Sequence, residues 1–429
     1  MIRKLKISAD RFLDLLFGYA GHSSQLAGGL ATMFIVTWYA GLDVYGIWVA
    51  LNALQTLVGR VFCIPTNELL FYFSAKKLDR NSSLAILVVC LLIDIIVSGV
   101  LFLAIFIFAD YFIELFLDGE VSKDDFLIYF VYVILLTTRN FSLAYWLSEG
   151  AYRKSVLLGV LEQTLKILLL FYFFGFLRGD NIDSVIYAAL IAALPISVLF
   201  LLRPVLFVAK RLELLSFRDL KVVSDQAFSY IRISYFNYAL NGLTKSIDNL
   251  LVAYFFSNQV VGLYATLKQF SMPLTYIVAP VINLSYRSFS KSLRAEEFSN
   301  IVNVISTSLK YLLLILMPSF VFATAALYMY TAVQEITFER RELLVYLFTF
   351  IATSTSVTYW WSRPLAAVYN PRLSIHAQII FLLIYLSLVA PLSRTAGLIG
   401  FSLVSCICSI GLLLYWVKVL NRFKSKEIG

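Results

Sequence analysis

Twelve long stretches, each apolar and nearly free of charge, follow one another from end to end of this chain, and a fold surrounded by water has no place for so many. They lie at 17–40, 44–73, 84–109, 126–147, 156–177, 186–208, 233–256, 260–289, 302–330, 343–362, 375–392 and 396–420. A helix crosses the hydrocarbon of a bilayer in about 20 residues. A membrane barrel would instead show segments of about ten residues alternating in polarity, and these runs do not alternate. The spacing predicts an all-α integral membrane protein of about twelve transmembrane helices. Composition agrees: 60% of residues are hydrophobic and 14% charged, where soluble chains carry about 45–50% and about 25%.

Basic residues set the expected orientation. Arg3, Lys4, Lys6 and Arg11 precede the first segment; Lys76, Lys77 and Arg80, then Arg153 and Lys154, then Lys210, Arg211, Arg218 and Lys221 follow on alternate connections. Arg287, Lys291 and Arg294, then Arg372, then Lys418, Arg422, Lys424 and Lys426 continue the series, and the intervening connections, such as 110–125, are poor in base. Both termini are therefore expected in the cytoplasm, and residues 2–16 read as a basic amphipathic interfacial helix leading into an uncleaved first span. Much of the net charge of +9 is this orientation signal, which argues against nucleic acid as a partner.

Several chemistries lack their residues. Cys63, Cys90, Cys406 and Cys408 all fall in apolar segments without metal-ligand spacing, and His22 and His376 are the only histidines. No P-loop sequence occurs, so ATP hydrolysis by this chain has no motif behind it. The expectation is a transporter, not an enzyme, with no cofactor or metal.

The chain reads as a duplication. Val36-Thr-Trp-Tyr39 with Val44-Tyr-Gly-Ile-Trp48 resembles Val252-Ala-Tyr-Phe255 with Val260-Val-Gly-Leu-Tyr264 at one offset, 252 − 36 = 216. The same offset lays Leu51 on Leu267, Asn67 on Asn283 and Phe73-Ser74 on Phe289-Ser290. Two six-helix lobes follow, 1–211 and 212–429, joined through the basic stretch 209–226. Because six is even, the lobes are expected to be related by a pseudo-two-fold axis along the membrane normal, a known transporter arrangement.

Asp248, then Val260-Val-Gly-Leu-Tyr-Ala265, then Pro273 and Pro280, then Ser288-Phe-Ser-Lys291 resemble the seventh and eighth helices of the Wzx-type polysaccharide-repeat flippases. These belong to the multidrug/oligosaccharidyl-lipid/polysaccharide exporter superfamily, and the helix count and duplication extend the likeness over nearly the whole chain. The resemblance implies that an undecaprenyl-pyrophosphate-linked oligosaccharide repeat, such as an O-antigen unit of lipopolysaccharide, is moved from the inner to the outer leaflet of a bacterial cytoplasmic membrane. Membrane lipids and the polymerase and glycosyltransferases of the same pathway would be its partners.

The intramembrane charges independently point toward an anionic cargo. Arg60, Arg139, Lys166, Lys245 and Lys268 lie deep in their segments. Five such residues facing lipid would cost on the order of 12–18 kcal/mol, so they are expected to face protein or a wet cavity. Arg60, Arg139, Lys245 and Lys268 are the candidates for pyrophosphate, because Arg offers parallel donors and Lys a compact charge. Arg60 and Arg139 have no acid within one turn in the sequence, whereas Glu162 and Lys166 form an i, i+4 pair that reads as structural. Asn237, Asn241 and Lys245 recur every four residues, with Asp248 three further on, so all share one helical face that is expected to line the cavity. Lys245 and Asp248 can equally neutralise each other.

Among the acids within spans, Asp248 and Glu149 are the candidates for proton or sodium coupling, and each reads equally as a counter-ion. Prolines 65, 195, 273, 280 and 318 mark places for kinks. Two other readings stay open: a cation-coupled multidrug exporter of the same superfamily, whose cavity would be acidic or aromatic, and a membrane scaffold that transports nothing.

Overall fold

The computed structural model describes residues 9–64, 66, 69, 80–148, 152–211, 213, 217–276, 298–335, 338–359, 361–362 and 371–426, and the regular elements among them are all helical. They are α1 (Ala9–Tyr39), α2 (Gly41–Val61), α3 (Arg80–Leu117), α4 (Lys123–Ser148), α5 (Tyr152–Phe171), α6 (Ile182–Ala209), α7 (Phe217–Phe255), α8 (Asn258–Ser271), α9 (Phe298–Gln334), α10 (Arg340–Thr358) and α11 (Pro371–Lys426). A π-helical turn, Tyr172–Phe176, closes α5.

The last element is two helices. Its 56 residues would reach about 84 Å if straight, nearly twice a bilayer. Gly397, at φ 59° and ψ −140°, folds it back. The Tyr385 hydroxyl lies 3.2 Å from Ser405 Oγ, and the Tyr385 and Phe401 rings meet edge-on at 6.2 Å, so the two arms form a hairpin. Counting both arms, the described residues form twelve helical segments, where twelve spans were expected.

The element bounds repeat at the offset read from sequence. Adding 216 to Gly41, Arg80–Leu117, Lys123 and Ile182–Ala209 gives 257, 296–333, 339 and 398–425. The second half has Asn258, Phe298–Gln334, Arg340 and the arm from Gly397 to Lys426.

Two of the equivalent helices end earlier than expected. The second segment was read through 73, but α2 stops at Val61, where the Phe62 N–H returns to the Val58 carbonyl at 2.9 Å. Pro65 explains the stop, since a proline disfavours α geometry just ahead of it and donates no hydrogen bond. Likewise α8 ends at Ser271, with a turn at Met272 before Pro273. The correspondences at Asn67, Phe73-Ser74, Asn283 and Ser288–Lys291 lie outside the described residues.

By its contacts the chain divides into Met1–Asn258 and Gln259–Gly429. In the first unit α1 packs on α5 and α2, α4 on α3 and α6, α5 on α6, and α7 on α2 and α3. Where α1 approaches α5, Gly28 faces the Gln163 side chain, whose flexible end a Cβ there would displace. Ala85, Cys90, Tyr145, Trp146, Phe200 and Val223 are part of its core. In the second unit α10 packs on α9 and α11 around Leu312, Trp361, Ala377 and Trp416.

Outside these cores the surface is apolar. On α3, Ile95, Ile96, Val100, Leu103 and Ile107 are each at least 57% exposed, and on α9 so are Met317, Phe322 and Met329. A soluble monomer seldom exposes contiguous apolar area beyond a few hundred Å². These faces belong in lipid, and the chain is a multi-pass membrane protein.

Candidate functional site

Inside the first unit, α4, α5 and α6 meet around Arg139. Its Nη1 donates to the Glu162 carboxylate, its Nε to Ser197 Oγ at 2.8 Å and its Nη2 to the Ala193 carbonyl at 2.8 Å. The Phe200 ring lies 5.9 Å from the guanidinium carbon. Three edges of the fork are thus taken by the lobe itself. The acid that neutralises Arg139 comes from a neighbouring helix, which spacing along its own helix does not reveal. Glu162 is buried and pairs with Arg139, where the sequence reading paired it with Lys166 one turn along its own helix. This node is built to hold helices together and offers a ligand little of Arg139.

Arg60 is placed differently. It sits near the end of α2 against α7, with its guanidinium carbon 4.5 Å from the Tyr238 ring centroid. One turn along α7, Gly242 makes the approach possible: a Cβ there would fall 2.1 Å from Arg60 Cβ. One turn the other way, the Tyr235 hydroxyl donates to the Val61 carbonyl, capping the end that Pro65 leaves open. Arg60 is half-buried in this seam.

Sequence reasoning missed a polar cluster on the opposite flank of α2. The fully buried Tyr129 of α4 donates to Gln55 Oε1 at 2.9 Å and lies 3.5 Å from Asn52 Oδ1. Asn52 Nδ2 donates to the Trp48 carbonyl at 2.6 Å, and the Trp48 ring meets Tyr129 edge-on at 5.8 Å. Two amides three residues apart in an apolar span were the available signal.

The second unit repeats the bridge. Subtracting 216 carries Lys268 to 52 and Ser271 to 55. Ser271 Oγ lies 3.2 Å from Thr353 Oγ1 on α10, as Gln55 meets Tyr129 on α4. Lys268 Nζ lies 5.7 Å from the Tyr264 ring, which itself packs edge-on against Phe401 at 5.5 Å. The amide of one half is replaced by a cation on an aromatic face in the other.

On α7 the backbone is helical through Asn237, Asn241 and Lys245, which keeps the expected periodicity, but their side chains lie outside the described residues, as does Glu149. Asp248 is half-buried and accepts the Asn249 N–H at 3.0 Å. Asp94, also within a span, accepts from Thr66 Oγ1 at 2.9 Å. Among the described residues no three His, Cys, Asp or Glu side chains gather as a metal site, and all four cysteines are buried and unbridged.

No family model matches the chain. No curated protein matches it either. Solved structures do. A mutant form of VcmN, a MATE transporter of Vibrio cholerae, is 15% identical, with 96% of each chain covered and a TM-score of 0.66. An inward-facing multidrug-resistance MATE family transporter of the MOP superfamily is 14% identical over 94% of this chain and 95% of its own, with a TM-score of 0.67. A MATE structure in complex with MaL6 is 14% identical, with 96% of each covered, at 0.60. At these identities the likeness is one of fold: twelve membrane helices in two lobes.

Proposed function

We propose that this chain is a transporter that exports amphiphilic molecules by alternating access. The observation that carries the reading is the agreement in fold, over nearly the whole of both chains, with transporters named for multidrug resistance. That agreement favours the drug-exporter reading of the cargo. The side-chain contacts support it, because Glu162 pairs with Arg139, and Arg60 and Lys268 each lie beside a tyrosine ring. Coupling to a proton or sodium gradient would then fall to Asp248 or Glu149, in a bacterial inner membrane with both termini cytoplasmic.

A second reading, the flippase of lipid-linked oligosaccharide, keeps one specific support: Arg60 in the α2–α7 seam has Tyr238 across it and takes part in no ion pair within 4 Å among the described residues. In that reading Arg60, Lys245 and Lys268 receive the pyrophosphate and Arg139 shapes the lobe around it. Reconstituted protein separates the two. Gradient-driven extrusion of a cationic dye supports the drug exporter. Leaflet exchange of a polyprenyl-pyrophosphate sugar without dye extrusion replaces it with the flippase, and neither activity in oriented, folded protein overturns transport itself.

A further inference from the structure

At the end of α11, Leu414, Val417, Lys418, Asn421 and Arg422 line a shallow groove. They recur at i, i+3, i+4, i+7 and i+8, so they form one face of the helix, and all five are exposed. Trp416 and Val419, on the opposite face, are buried in the core of the unit. The stripe therefore looks outward, into the bilayer and its surface.

Its depth is fixed by the hairpin. Lys418 is 418 − 397 = 21 residues beyond the Gly397 turn, about 32 Å along a helix. Arg422 is 25 residues beyond it, about 38 Å. The hydrocarbon is about 30 Å thick and headgroups extend the bilayer to about 40–45 Å. With the Gly397 turn at one face of the hydrocarbon, the two cations reach headgroup level at the other, while Leu414, 63% exposed, lies deeper, against acyl chains.

The equivalent face of the first half is apolar. Subtracting 216 turns Leu414, Lys418, Asn421 and Arg422 into Val198, Leu202, Val205 and Leu206, which are all exposed. The only basic residue within α6, Arg203, has its guanidinium 5.1 Å from the Trp146 ring, and the next basic residues along the chain, Lys210 and Arg211, follow the helix end. Orientation alone does not require charge on the lipid-facing stripe.

We propose that the α11 stripe is a binding site for one anionic phospholipid. Its phosphodiester is held between Lys418 and Arg422, with the Asn421 amide donating to the headgroup and an acyl chain lying along Val417 and Leu414. Charge complementarity and depth select this occupant. The site is independent of the cargo.

Native mass spectrometry of detergent-purified protein offered phosphatidylglycerol and phosphatidylcholine tests it. Each basic group near a membrane surface favours an anionic lipid by about five-fold, so wild type should retain phosphatidylglycerol about twenty-five-fold better. K418Q and R422Q should each lose about five-fold and the double variant nearly all preference, while the charge-keeping K418R/R422K retains most of it. Inorganic phosphate at equal concentration should not displace the lipid. An undiminished preference in the single variants, or displacement by inorganic phosphate alone, would overturn the assignment.

Discussion

Arg139 and Arg60 are alike in sequence, both deep and both without an acid within a turn, and the fold gives them opposite work. Arg139 is held by three groups from two helices, one of them the buried Glu162. Removing one member of a buried pair costs about 3–5 kcal/mol because the other charge is left unanswered. R139A should therefore lower the unfolding temperature sharply, and R139M/E162L should recover part of that loss, a non-additivity that thermal denaturation of the four proteins measures. Arg60, by contrast, contributes a cation–aromatic contact of about 0.5–2 kcal/mol. R60A should leave insertion and unfolding temperature nearly unchanged and depress transport; wild-type export would remove Arg60 from the pathway. Both residues were legible as unusual in the sequence. What separates them was not, because Glu162 lies 23 residues along the chain and reaches Arg139 only through the packing of α5 on α4.

At the scale of elements, periodicity and proline placed nearly every helix, while close approach decided where two of them meet. The hairpin of α11 was visible as two apolar segments separated by 393–395, although Gly397 is where the backbone reverses. Its positive φ lies where side chains are strained by about 1–3 kcal/mol, so G397A should destabilise the hairpin by that amount even though a Cβ there meets nothing within 4 Å. Limited proteolysis between the arms would register the loosening. Gly242 presents the contrary case of ordinary helix geometry and no room. Alanine would gain about 1 kcal/mol in helix propensity, but its Cβ would lie 2.1 Å from Arg60 Cβ, an atom fixed to the α2 backbone. The clash wins, and overpacking of about 1–3 kcal/mol should part α2 from α7. G242A should reduce transport, and a spin-label distance between the two helices should lengthen; an unchanged distance would mean the seam yields elsewhere. Nothing in the sequence marks Gly242 as the point where two helices touch, since an isolated glycine in an apolar span has many uses.

For the whole molecule, the duplication was the most far-reaching feature the sequence carried, and several element bounds repeat it to within two residues. It is not exact: Asn52 is answered by Lys268, Gln55 by Ser271 and Leu202 by Lys418. The two readings of the cargo differ in its charge, which the membrane potential acts on directly. Each charge carried across 100 mV is worth about 2.3 kcal/mol. An inside-negative potential therefore opposes export of a cationic drug and assists export of a pyrophosphate-linked lipid. With the transmembrane pH and sodium gradients collapsed, so that coupling ions contribute no driving force of their own, a potassium diffusion potential imposed on oriented vesicles isolates this term. Outward flux of a monocationic dye that moves without exchange should fall as the interior is made more negative, one exchanged for a single coupling cation should not respond, and a flippase of an anionic headgroup requires outward transfer of its lipid to rise. A dye flux that rises with interior negativity would mean that more than one positive charge returns inward per turnover, and it would identify the exporter's coupling stoichiometry by its slope against potential.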